Sequence, residues 1–120
     1  MDRQLKEGKG WRLGWQPSAT FPALLGTNQW AVELTATEFV DFRRLLLQLI
    51  DSVAQLQDQL MVEETIACEA SSDLIWVEVR GYPQQFNLSF ILLSGRRAEG
   101  QWSVESTAEL VGAIQTIEVF

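Results

Sequence analysis

A chain of 120 residues, 47% of them apolar, can bury one hydrophobic core, and a formal net charge of −7 works against a general affinity for phosphate backbones. With no histidine and a single cysteine, Cys68, the chain offers no familiar zinc, haem or iron–sulfur ligand set and no internal disulfide. The opening residues MDRQLKEGKG lack the apolar segment of a secretory leader, and no unbroken apolar run is longer than that of Phe90 to Leu93, too short to span a bilayer. One domain over residues 1–120, cytoplasmic and unattached to membrane, is the expectation.

In chain order, GWRLGW reads as a short strand with Trp11, Leu13 and Trp15 on one face, and TFPALLG as a second with Pro22 at an edge or bulge. QWAVEL alternates, with Trp30, Val32 and Leu34 on one side and Ala31 and Glu33 on the other. Thr35-Ala36-Thr37-Glu38 is a capping box: the threonine hydroxyl and glutamate carboxylate can satisfy exposed amides reciprocally.

The helix that starts there has no Gly or Pro before about Met61, giving a length of about 40 Å at 1.5 Å per residue. Its apolar residues spread over roughly 200°, about twice the ~100° stripe a surface helix usually buries. Part of that arc, represented by Val40, Arg43, Leu47 and Ile50, is therefore expected to meet a partner, most simply a second copy in a homodimer.

The second half reads as four strands, TIACEAS, DLIWVEVRGY, FNLSFILLS and GQWSVE, whose connections are too short for parallel crossovers. Cys68 sits in the first of them as a small buried hydrophobe. In LIWVEVR, Ile75, Val77 and Val79 form an apolar row toward the helices, while Trp76, Glu78 and Arg80 face outward. Ser106-Thr107-Ala108-Glu109 reads as a second capping box opening a helix, and TIEVF at the end is apolar enough to dock.

QWAVE at 29–33 and QWSVE at 101–105 each precede a helix signal, so the chain divides into pseudo-repeat halves of about 9–61 and 66–119. The implied architecture is α+β: an antiparallel sheet, β-β-β-α followed by β-β-β-β-α, with both helices packed on one side.

The segments EGKGWRLGW (7–15), CEASSDLIWVEVRGYP (68–83) and GRRAEGQW (95–102), with the chain length, resemble an uncharacterised family of small cyanobacterial proteins described as a domain of unknown function. The resemblance covers essentially the whole chain. That family is similar in fold to the single-stranded-DNA-binding transcriptional regulators, the plant Whirly proteins and positive cofactor four. It implies curved antiparallel sheets, helices that make the assembly contact, and an exposed sheet surface that binds single strands. No stretch matches a DNA-contact motif of those relatives, so no contact residue follows from the resemblance.

The catalytic inventory is poor: there is no nucleophile elbow, phosphate loop or dinucleotide glycine fingerprint, and no small-molecule substrate or cofactor is evident. The paired acids Glu63-Glu64, and Glu33 with Glu105, read as solvated carboxylates. Basic residues interleaved with aromatics are the pattern by which single strands are held, bases stacking on rings and cations following phosphates. Lys9, Arg12, Trp76, Arg80, Arg96 and Arg97 are the candidates, whereas Trp30 and Trp102 share the parity of buried valines and read as core. The functional expectation is a non-enzymatic binding or regulatory module, associated with single-stranded DNA or RNA by fold resemblance. The alternative is a protein–protein interaction or assembly factor that does not bind nucleic acid.

Overall fold

The computed structural model describes residues 3–119. Their elements run β1 (Gln4–Gly8), β2 (Trp11–Trp15), β3 (Ala23–Gly26), β4 (Ala31–Leu34), α1 (Ala36–Gln57), β5 (Ile66–Ser71), β6 (Ile75–Tyr82), β7 (Gln85–Leu92), β8 (Glu99–Trp102) and α2 (Val104–Thr116). The class is α+β, but in place of one sheet there are two four-stranded antiparallel meanders, β1-β2-β3-β4 and β5-β6-β7-β8.

The first half holds four strands rather than three and begins at Gln4 rather than near residue 9. The charged lead-in conceals β1 because its useful parity is polar. Gln4, Lys6 and Gly8 pair with Trp15, Leu13 and Trp11. Lys6 Nζ donates to Thr116 Oγ1 at 3.1 Å and Gln4 Nε2 to the Glu118 carbonyl at 2.7 Å, so these side chains are held by the far end of the chain. Gly10, at φ +81°, makes the turn into β2, where a side chain would be strained.

Thr35 caps α1 as its sequence predicts: its hydroxyl accepts from the Glu38 amide at 3.1 Å and the Glu38 carboxylate accepts from the Thr35 amide at 2.8 Å. The helix stops at Gln57, capped by Asp58, short of the expected Met61. Val53 is its last buried residue, and Leu60 packs partly against the core from beyond the helix end.

The start of α2 also departs from expectation. Its N-cap is Ser103, without a side-chain cap bond, and the expected capping box at Ser106–Glu109 lies inside the helix. Each of its polar side chains has another partner: Ser106 Oγ donates to the Lys9 carbonyl at 3.0 Å, Thr107 Oγ1 to the Ser103 carbonyl at 2.7 Å, and Glu109 accepts from Trp11 Nε1 at 2.9 Å. Consequently Glu105 is helical whereas Glu33 is in a strand, and the matching Val-Glu pairs occupy different local structures.

Each sheet turns one face inward. Trp11, Leu13, Trp15, Ala23, Leu25 and Leu34 are the buried side chains of the first, and Ile66, Ile75, Val77, Val79, Leu88, Phe90, Leu92 and Trp102 those of the second. Helix α1 lies on β5 and β6 with its start at β4, while α2 spans from β7 to β1 and β2. Trp102 stands where the halves meet, its ring centroid 5.3 Å from Trp30, 5.5 Å from Phe90 and 6.5 Å from Phe42. Its Nε1 donates to the Gly26 carbonyl at 2.9 Å, joining the last strand of one sheet to the other sheet. Gly100 must lack a side chain because a Cβ there would collide with the Trp30 ring. No helix among the described residues is long and apolar enough to cross a membrane.

Candidate functional site

The six candidate nucleic-acid residues occupy four separate places. Lys9 is exposed in the β1–β2 turn, against the start of α2. Across that turn, the carboxyl of Glu105 is held below its ordinary value by its own backbone amide, then by the Ser103 hydroxyl, with the charge of Lys9 adding to the effect.

Arg12 projects from the outward parity of β2 but is committed to the chain itself. Its Nε donates to the Thr27 carbonyl at 2.6 Å and its Nη2 to the Trp30 carbonyl at 3.0 Å, clamping the turn between β3 and β4. Arg12→Ala is expected to lower unfolding stability by about 1–2 kcal/mol, the range for charge-assisted bonds to partly exposed carbonyls, measured by urea denaturation. An unchanged midpoint would show the clamp to be idle.

Trp76 and Arg80 share the outward face of the second sheet. Arg80 Nη2 lies 3.1 Å from Glu78 Oε2 on the same strand. Glu69 stands directly across from Glu78, and Glu99 across from Ile91, the cross-strand neighbour of Trp76. A shallow depression of about 290 Å³ beside Trp76 is lined by Ser89, Ile91, Glu99 and Gln101. This face therefore sets three carboxylates against one guanidinium, a field that repels a phosphodiester strand.

Arg96 and Arg97 lie in the β7–β8 hairpin, and they part company there. Arg97 is exposed, with φ at +52°. Arg96 folds back over the start of α1, stacking on Phe21 at 4.6 Å and donating to the Glu38 carboxylate and the Glu33 carbonyl. Ser94 Oγ donates to the same carboxylate at 2.9 Å. Glu38 is 4% exposed. Burial pushes its carboxyl up, but the Thr35 amide, the Ser94 hydroxyl, the Arg96 charge and the Thr35 hydroxyl together hold it below its ordinary value. The sequence shows Glu38 only as a cap; the hairpin arginine that makes it a joint between the halves is 58 residues away.

On the other side of α1, three of the four candidate interface residues come together. Val40, Arg43 and Leu47, with Phe39, Arg44 and Val119, line an open groove of about 360 Å³. Val40 is half exposed, whereas Ile50, the fourth candidate, packs against the core. Arg43 Nη2 donates to the Gln115 carbonyl at 2.9 Å, giving α2 the cation that its own last turn lacks, and Arg43 Nε is buried with no acceptor. Arg44 pairs loosely with Asp41 at 3.6 Å. Val119 belongs to the apolar TIEVF tail, whose docking is legible in the sequence although its place beside α1 is not. Among the described residues no three acidic or cysteine side chains gather to hold a metal ion.

The fold and its surfaces thus define an α+β chain of two antiparallel meanders, each followed by a helix. The chain belongs to the family described as a domain of unknown function, DUF1818, whose model matches residues 6–117. It is similar to a crystal structure, at 1.80 Å resolution, of a protein of unknown function from Prochlorococcus sp. NATL2A, itself described as of the DUF155 family. Identity is 30% over 96% of this chain and 98% of that one, with a TM-score of 0.89. No curated protein matches the chain.

Proposed function

We propose that the chain is a non-enzymatic protein-binding module whose working surface is the groove along α1. The observation that carries this reading is the apolar lining of that groove by Val40, Leu47 and Val119 on an otherwise charged helix face. Single-strand binding, the reading that fold resemblance suggests, has weaker support. Arg12, Arg80 and Arg96 are occupied by intramolecular acceptors, and the outward face around Trp76 is acidic.

Two measurements test the proposal. A fluorescent single-stranded oligonucleotide titrated at low salt is expected to show no saturable binding. Binding of roughly micromolar strength that weakens with salt and with Arg97→Ala would favour the single-strand reading instead. A photo-crosslinking residue placed at Val40 in the native host is expected to give protein adducts, and a folded, expressed chain that gives none would overturn the proposal.

A further inference from the structure

This inference rests on the protein-binding reading and names the partner. The exposed side of α1 carries Val40, Arg43, Leu47, Asp51 and Ala54, separated by three, four, four and three residues. That spacing is the same read from either end, with Leu47 at its centre. The chemistry is not the same from either end: arginines lie on one side of Leu47 and an aspartate on the other. Laid antiparallel on itself about a two-fold axis through Leu47, the stripe sets Leu47 on Leu47, Val40 on Ala54, and Asp51 of one copy between Arg43 and Arg44 of the other.

Within one chain Arg44 is offset loosely by Asp41 at 3.6 Å, whereas Asp51 has no ion-pair partner among the described residues. No basic residue stands in the last turn of α1, and its cap is Asp58, an anion at the end where the helix dipole disfavours one. In this register an antiparallel second copy leaves that end facing its own first turn and brings Arg43 and Arg44 opposite Asp51 and Ile50. The partly exposed end of the Arg43 guanidinium, already donating to the Gln115 carbonyl, gains a carboxylate beside it. We propose that the occupant of the groove is a second copy of this chain, docked through α1 in antiparallel register with reciprocal Arg43/Arg44–Asp51 contacts.

The test is charge reversal at two exposed positions, Arg44→Glu and Asp51→Arg, read by analytical ultracentrifugation of the full chain. The unaltered protein is expected to sediment as a dimer at tens of micromolar. Each single variant should lose dimer by at least about tenfold in Kd, with its circular dichroism unchanged. Mixing the two variants should restore the dimer. The carboxylate introduced at position 44 of one chain then meets the guanidinium introduced at position 51 of the other, while Asp51 of the first still meets Arg44 of the second. A monomeric unaltered chain, single variants that dimerise normally, or a mixture that stays monomeric would each overturn the proposal. Adducts from Val40 to a different protein, with the purified chain monomeric, would overturn it while leaving the protein-binding reading standing.

Discussion

Trp102→Ala is expected to lower unfolding stability by about 3–5 kcal/mol, the range for removing a fully buried aromatic side chain. The ring is wholly buried among Trp30, Phe42 and Phe90, so its removal leaves a void at the meeting point of the sheets. Neighbouring rings are poorly able to collapse into it, since Gly100 already brings the Trp30 ring against the backbone. Trp102→Phe separates the two roles of the residue. It keeps most of the packing but removes the donor to the Gly26 carbonyl, and should cost about 1–3 kcal/mol. Guanidinium denaturation with an unchanged m-value checks both, and an alanine variant within about 1 kcal/mol of the parent would show the junction to be plastic.

The second large effect is expected at Glu38. Glu38→Ala removes one half of the capping box and strips the Arg96 guanidinium of its buried anion. Loss of a cap costs about 1 kcal/mol, and breaking a buried ion pair costs about 3–5 kcal/mol when the remaining charge cannot reach water. Arg96 keeps 36% of its side chain exposed and can be rehydrated, so a total of about 2–4 kcal/mol is expected. The same residue makes stability depend on pH. Its carboxyl titrates below 4.5 in the folded chain, so its ionised form stabilises fully above that value, and the contribution is lost as pH falls through the lower folded value. Glu38→Gln lacks this titration. The stability gap between the parent and Glu38→Gln should therefore shrink as pH is lowered from 4.5 downward, and a gap that stayed constant would remove Glu38 as the source.

Most strands and both helices are legible in the sequence because their alternation, or their 3.6-residue recurrence, coincides with burial: Ile75, Val77 and Val79 face inward as their parity requires. β1 is not, because its inward row of Gln4, Lys6 and Gly8 meets the end of α2 and the segment after it through polar atoms, a pattern indistinguishable from a solvated lead-in. The false box at Ser106 shows the converse. Its residue types are those of a cap, but their hydroxyls serve the turn at Lys9 and the helix backbone. For the candidate sites the limit is similar. Composition finds arginines, but whether Arg12 or Arg96 is free depends on carbonyls and carboxylates supplied by distant segments. The groove on α1 is more legible, since an over-wide apolar arc is a property of one helix alone.

The bonds from Gln4 to Glu118, Lys6 to Thr116 and Trp11 to Glu109 have a kinetic meaning. They join positions 114, 110 and 98 residues apart, near the largest separations the chain permits. The first hairpin leaves the ribosome long before the helix that covers it exists. Phe39 of α1 can reach Trp15 early, but the Trp11 end must wait until α2 is made, so closing the ring of contacts is a late event in biogenesis, with loop-closure entropy to overcome.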